Sequence, residues 1–278
     1  MPILFVNHDF IDANAPSILA TDRGLLLGDG LFETIRAYSG KTCFLQQHWE
    51  RLTNSAKILE IKFSLSFSEL LAIIRELLTR NHLENQDARI RVTLTRGSSK
   101  AGLATDHKAT PTLVITATSY TLPEAIHHII ISNIRRNEFS PLANLKSLNY
   151  LDNILALQEA QKQNADEALL LNTQGNLACA TTGNIFIVKQ ETIYTPRLAD
   201  GALPGIMRSI LIQLAHQHKI KLTEATINLS QLQNAEELFL SNSLVGIRPI
   251  VNFQESVIVQ NVSQHMQQIL QEYILTCR

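Results

Sequence analysis

The chain is poor in the features that announce several large protein classes. Its three cysteines, Cys43, Cys179 and Cys277, lie too far apart for metal-ligand spacing, so reduced thiols are expected rather than a disulfide framework or a zinc site. Charge of one sign is not in excess: 24 Lys and Arg stand against 25 Asp and Glu, for a net charge of −1. No basic field therefore exists to hold nucleic acid or an anionic membrane, which leaves small ligands and protein partners. A basic start and a long apolar run are both missing from Met1 to Phe10, so neither a signal peptide nor a membrane span is expected, and the protein should be soluble and cytoplasmic. The nine histidines show no HExxH spacing, and His127-His128 merely leads into the apolar run Ile129-Ile130-Ile131, so no catalytic metal is expected. A G-x-S-x-G elbow, internal repeats and low-complexity tracts are absent too. Gly28-Asp29-Gly30 is too short and too acidic for a dinucleotide loop and reads as a turn before a strand.

What is present is an α+β pattern over a length that suits two domains. Residues 2 to 6 and 9 to 13 read as short strands. Leu31 to Tyr38 and Thr42 to Leu45 read as a hairpin around Ser39-Gly40-Lys41. Apolar residues then recur at three and four through Trp49, Leu52, Ala56 and Leu59, and again through Leu70, Leu71, Ile74 and Leu78, which predicts two helices. Ala88 to Arg96 and Thr110 to Thr118 are further strands. Pro123, after the last of these, marks a linker at 121–127 between an N-terminal domain (1–120) and a C-terminal domain (128–278). Beyond it, strands are predicted near 128–133, 167–171, 184–188 and 237–241, with helices near 149–163, 206–217 and 262–275.

Lys146 stands in an uncharged run, Asn144-Leu145-Lys146-Ser147-Leu148-Asn149-Tyr150-Leu151. An amine attacks a carbonyl only when deprotonated, and an uncharged, partly dry setting favours that state, so Lys146 is a candidate Schiff-base lysine. Read alone, it is equally a solvated lysine at a helix start. Leu203-Pro204-Gly205-Ile206-Met207-Arg208 opens an amphipathic helix behind a glycine, where the N–H groups of Ile206 and Met207 and the helix dipole would face an anion. Arg51 could add a bidentate fork to the same phosphate, and Ser241-Asn242-Ser243-Leu244, at a strand end, a hydroxyl and an N–H. Each of these is also an ordinary surface charge, helix start or turn.

In order along the chain, Gly28-Asp29-Gly30-Leu31-Phe32-Glu33-Thr34-Ile35-Arg36, His48-Trp49-Glu50-Arg51-Leu52, Lys146 to Leu151, Asn184-Ile185-Phe186 and Leu203 to Arg208 resemble the class IV aminotransferase family. These are the fold type IV pyridoxal-phosphate enzymes: branched-chain aminotransferases, D-amino acid transaminases and aminodeoxychorismate lyases. The resemblance implies a two-domain α+β fold, with a small N-terminal domain and a larger C-terminal domain of barrel-like β core. It implies pyridoxal 5'-phosphate carried on Lys146, which then moves protons as base and acid. It also implies a phosphate held by Arg51, the N–H groups of Ile206 and Met207, and Ser243, with Leu203 packed on the pyridine ring and the Tyr150 hydroxyl at the ring oxygen. Family members form homodimers with the active site between the two domains, so a homodimer is expected.

One departure carries chemical weight. Where the family has a glutamate to keep the pyridine nitrogen protonated, this chain has Cys179, in Leu177-Ala178-Cys179-Ala180-Thr181-Thr182-Gly183-Asn184. A thiol is a weak donor, so the ring should be a poorer electron sink and transamination should suffer most. The alternatives are that Cys179 is a small buried residue without electronic role, or that a shifted register lets another acid serve. An aminodeoxychorismate lyase, which expels pyruvate and is driven by aromatisation to 4-aminobenzoate, tolerates a weaker sink. Asn242-Ser243-Leu244 also resembles the lyases. In Arg96-Gly97-Ser98-Ser99-Lys100-Ala101-Gly102-Leu103, however, the second arginine and the aromatic of the lyase loop are replaced by Ala101 and Leu103. The expectation is thus a lyase of folate biosynthesis giving 4-aminobenzoate and pyruvate. The alternatives are an aminotransferase of D-amino or branched-chain amino acids, or a catalytically weak family member kept for binding.

Overall fold

Alternation along the N-terminal strands builds one antiparallel sheet with a helix-covered face. The structure, a computed structural model, describes residues 2–15, 17–99, 102–106, 109–253, 256–257 and 260–277. It divides into two compact units, one of Met1–Thr121, Lys146–Asn149 and Cys277–Arg278, the other of Leu122–Leu145 and Tyr150–Thr276. The first unit runs β1 (Ile3–Val6), β2 (Asp9–Asp12), α1 (Arg23–Leu27), β3 (Gly30–Tyr38), β4 (Lys41–Thr42), α2 (Leu45–Ile58), α3 (Phe67–Arg80), β5 (Ala88–Thr95) and β6 (Thr112–Ser119). Its six strands take the order β2-β1-β6-β5-β3-β4.

Ile35, Ala37, Ala88, Ile90, Val92, Leu94 and Ile115 are buried, and α2 packs on β3 while α3 packs on β1 and β6. Each fully buried Leu or Ile contributes roughly 1.5–3 kcal/mol. The apolar period of α3 buries Leu70, Ile74, Leu77 and Leu78, and a capping box of Ser66 and Glu69 starts the helix. The hairpin expected to run on to Leu45 stops at Thr42, because Phe44 turns left-handed (φ 60°) and α2 begins at Leu45.

The helix expected from 149 begins instead at Leu151. Before it, the chain lies extended against β3: Leu31 bridges Ser147, Phe32 N donates to Lys146 O, and Leu148 N donates to Gly30 O. Lys146 therefore groups with the first unit.

The second unit runs β7 (Ile129–Arg136), α4 (Leu151–Lys162), β8 (Glu167–Asn172), β9 (Leu177–Ala180), β10 (Asn184–Lys189), β11 (Thr192–Pro196), α5 (Ile206–Gln217), β12 (Leu222–Ala225), α6 (Leu229–Gln233), β13 (Glu237–Asn242), β14 (Gly246–Ile250), β15 (Asn252–Phe253), β16 (Ser256–Val257) and α7 (Val262–Thr276). Two five-stranded sheets, β12-β11-β10-β13-β14 and β16-β15-β7-β8-β9, share one apolar core through Leu169, Leu171 and Leu177 on one side and Ile185, Ile187, Leu238 and Leu240 on the other. This is the barrel-like arrangement expected. Helix α4 packs on β7 and β8, while α5 and α7 pack on each other and on β13. Buried Glu237 accepts from the N–H groups of Asn261, Val262 and Ser263, capping the positive end of α7.

Candidate active site

In the first unit, strand alternation sends Glu33 to the helix-facing side of β3 among Leu31, Ile35 and Ala37, where it is 1% exposed. A carboxylate there needs partners. Helix α2 supplies two from one face, three residues apart: Arg51 donates Nε to Oε1 (2.7 Å) and Nη2 to Oε2 (2.6 Å), and His48 Nδ1 lies 2.7 Å from Oε2. Burial alone would raise the Glu33 pKa, but the Arg51 charge and hydrogen bond, with help from His48, bring it down to about 2. Burial dominates at His48 and lowers its pKa, so the ring is neutral and donates to Glu33. Both Arg51 and Lys146 lie close enough for their charges to act on His48.

Pairing of Lys146–Leu148 with β3 sets the lysine on the aromatic of Phe32, with Nζ 4.2 Å from the ring centroid. The guanidinium carbon of Arg91, on β5, lies 3.9 Å from the same centroid. Sequence reasoning missed Arg91. The available signal was its place in Arg89-Ile90-Arg91, where alternation gives two arginines one exposed face. It also read Gly28-Asp29-Gly30 only as a turn. Gly28 does turn (φ 66°) and ends the short α1, but Asp29 is an ionic hub accepting from Arg23 Nε (2.7 Å) and Arg96 Nε (2.8 Å). Burial works against its charge, yet Arg96 and Arg23 together hold the carboxyl below the usual range. Arg96 also donates to the carbonyls of Leu59 and Glu60, so the arginine of the Arg-Gly loop is a buried brace. Leu103 is 82% exposed, and Ala101 and Lys100 lie outside the described residues.

In the second unit, three segments are tied together, two of the links by side chains. Asn184 Nδ2 donates to Leu203 O (2.9 Å), and a Cβ on Gly205 would meet Asn184 Oδ1 at 2.0 Å, so only glycine admits this close approach at the start of α5. Half-buried Leu203 accepts from Gly205 N, while Ile206 and Met207 occupy the first turn with no side-chain cap from Gly205. Ser241 pairs with Asn184 across the sheet, and its Oγ is buried with no hydrogen-bond partner. Ser243 follows in a turn where Asn242 Oδ1 accepts from Leu244 N and Val245 N, and Asn242 Nδ2 donates to Thr182 O. An orphaned hydroxyl and uncapped first-turn N–H groups suit an anion rich in acceptor oxygens. Tyr150, half-buried, precedes α4 and accepts from Ile154 N through its carbonyl.

Cys179 faces Leu170 across the β8–β9 pair and packs with Ala156, Ala160, Ala168 and Ala178. Burial pushes its thiol up to about 11, outweighing the downward pull of Arg136, with Glu167 adding to the rise. Glu167 is the acid that acts on it, and its oxygens already accept from the hydroxyls of Thr181 and Thr182 and the N–H groups of Ala168 and Thr181. Cys43 and Cys277 are free thiols as well. Among the described residues, no His, Cys, Asp and Glu group forms a metal cluster, and no helix is long and apolar enough to cross a membrane.

A family model, amino-transferase class IV, matches residues 30–253. The chain is 36% identical to a Methanocaldococcus jannaschii protein named "Putative branched-chain-amino-acid aminotransferase", over 92% of this chain and 89% of that one. It is 30% identical to the aminodeoxychorismate lyase of Bacillus subtilis, over 91% of this chain and 87% of the other. The crystal structure of a Legionella pneumophila protein, named "Putative 4-amino-4-deoxychorismate lyase", superposes with a TM-score of 0.88 at 34% identity, covering 94% of this chain and 97% of its own.

Proposed function

Because the chain belongs to the class IV aminotransferases, enzymes that use pyridoxal 5'-phosphate on small-molecule substrates, we propose that it is a 4-amino-4-deoxychorismate lyase releasing 4-aminobenzoate and pyruvate. The observation that carries this reading is Cys179, a buried thiol that keeps its proton where the resemblance sets a carboxylate. Bound cofactor supplies a carbonyl for the substrate amine and a ring that withdraws electrons from the substrate, and that ring is a stronger sink when its nitrogen is protonated. With a thiol in place of the carboxylate, that nitrogen would stay largely neutral. The lyase reaction suits this because formation of an aromatic product supplies its own driving force, and the substrate contains every atom of both products.

The residues that the family resemblance implies for the cofactor are Arg51, Lys146, Tyr150, Cys179, Leu203, Ile206, Met207 and Ser243. Arg51, the first-turn N–H groups of Ile206 and Met207, and the Ser243 hydroxyl would bind the phosphate, while Leu203 would cover the ring. Lys146 Nζ takes the proton from the substrate ring and returns one to the departing pyruvate unit. Arg91, brought on β5 to the same Phe32 ring as Lys146, supplies a fork for a substrate carboxylate in place of the second arginine that the loop from Arg96 to Leu103 lacks. The enzyme works in the cytoplasm as a homodimer.

A second reading, an aminotransferase of branched-chain amino acids, is favoured by the Methanocaldococcus relative. Loaded protein given enzymatically made aminodeoxychorismate without any keto acid separates the two. Equal release of 4-aminobenzoate and pyruvate, lost in Lys146→Ala, is the expected result. No release, with amino transfer to 2-oxoglutarate from a branched-chain donor, would overturn the lyase.

A further inference from the structure

Among the buried titratable side chains of the first unit that the catalytic outline leaves unused are Glu33 and His48. Each is 1% exposed, and they meet only because β3 turns one acid into an apolar face while α2 offers a histidine and an arginine on adjacent turns. Glu33 takes the Nε–Nη2 edge of Arg51 with both oxygens, the arrangement that fixes both the plane and the direction of a guanidinium. The imidazole of His48, 2.7 Å from Oε2, prevents that carboxylate from rotating.

Resting on the reading of Arg51 as a phosphate ligand, we infer that Glu33 and His48 are positioning residues that preorganise Arg51 for the cofactor phosphate. An arginine held in one rotamer by the fold need not be ordered when the phosphate arrives, so the gain is confined to ligands that carry that phosphate. An ion pair that served only folding would strengthen binding of phosphorylated and unphosphorylated ligands alike.

The test compares binding of pyridoxal 5'-phosphate with that of pyridoxal, followed by the visible absorbance of the Lys146 adduct and by protein thermal stability. Glu33→Gln should reduce the preference for the phosphorylated ligand about tenfold, the scale of freeing one ordered side chain, while pyridoxal binds as before. His48→Leu should reduce it less, and His48→Asn, which keeps a side-chain N–H, should restore it. If Glu33→Gln does not fold, the two His48 variants carry the same comparison. An unchanged preference in Glu33→Gln or His48→Leu, alongside a reduced one in Arg51→Leu, would overturn the inference and leave the role of Arg51 intact. An unchanged preference in Arg51→Leu would remove the reading on which it rests.

Discussion

Replacing Cys179 by glutamate restores the side chain that the family resemblance expects, and its effect can be worked out before it is measured. The thiol is buried in a cluster of five alanines and Leu170, so three additional heavy atoms overpack the site by about 2 kcal/mol. A carboxylate in such a setting resists ionisation by about three pKa units, which at pH 7 adds about 4 kcal/mol. Without cofactor, the variant should therefore lose roughly 6 kcal/mol and melt on the order of 15 °C lower. If position 179 meets the pyridine nitrogen, bound pyridoxal phosphate supplies the missing partner. The loss in the loaded protein should then shrink to the packing part, about 5 °C. The carboxyl's raised pKa adds a second signature: its penalty is absent below the unfolded value near 4 and grows as pH rises toward the folded value, so at pH 5 the cofactor-free variant should recover about half of its deficit relative to wild type, the pH-independent packing loss remaining. Melting curves of both proteins, loaded and cofactor-free, at pH 5 and pH 7 measure all of this. Equal losses with and without cofactor would refute the reasoning, because they would make Cys179 a packing residue with no electronic role.

Gly205→Ala would drive a Cβ to 2.0 Å from Asn184 Oδ1 and break its bond to Leu203, so cofactor affinity should fall about tenfold in a titration with pyridoxal phosphate; an unchanged affinity would remove that turn from the phosphate site. Stability should also fall in acid. The Glu33 pKa, lowered from 4.5 to about 2, contributes about 3 kcal/mol that is fully present above pH 4.5 and lost as pH falls toward 2. The lowered His48 pKa acts in the same direction, from its unfolded value downward, and urea midpoints between pH 7 and pH 3 should decline less steeply in Glu33→Gln.

Legibility in the sequence followed the range of the forces involved. Periodicity is local, so the apolar stripes of α2, α3 and α5 and the buried run of β8, Glu167–Asn172, could be read from spacing alone. Short elements such as β12 and α6 could not, because four or five residues carry too little pattern and are held by their neighbours. The phosphate-binding candidates were visible as separate weak signals, and their order along the chain joined them. What spacing could not convey was pairing between distant segments: that Lys146 lies extended on β3 rather than opening a helix, and that Arg91 arrives at the same aromatic ring. Glu33 lies between these cases. A lone acid in the apolar alternation of Leu31, Ile35 and Ala37 announces a buried charge that must find a partner, and His48 and Arg51, at helical spacing on the next long element, are groups of the right kind. The sequence thus contained the demand and the supply, and only the packing of α2 on β3 joins them. The same logic gives Cys179 its weight: a position in an apolar cluster rich in alanine accepts a neutral thiol without compensation, whereas a glutamate there would need a partner, a demand that the charge of Arg136 meets only in part and that a bound cofactor would meet if position 179 faces its ring nitrogen.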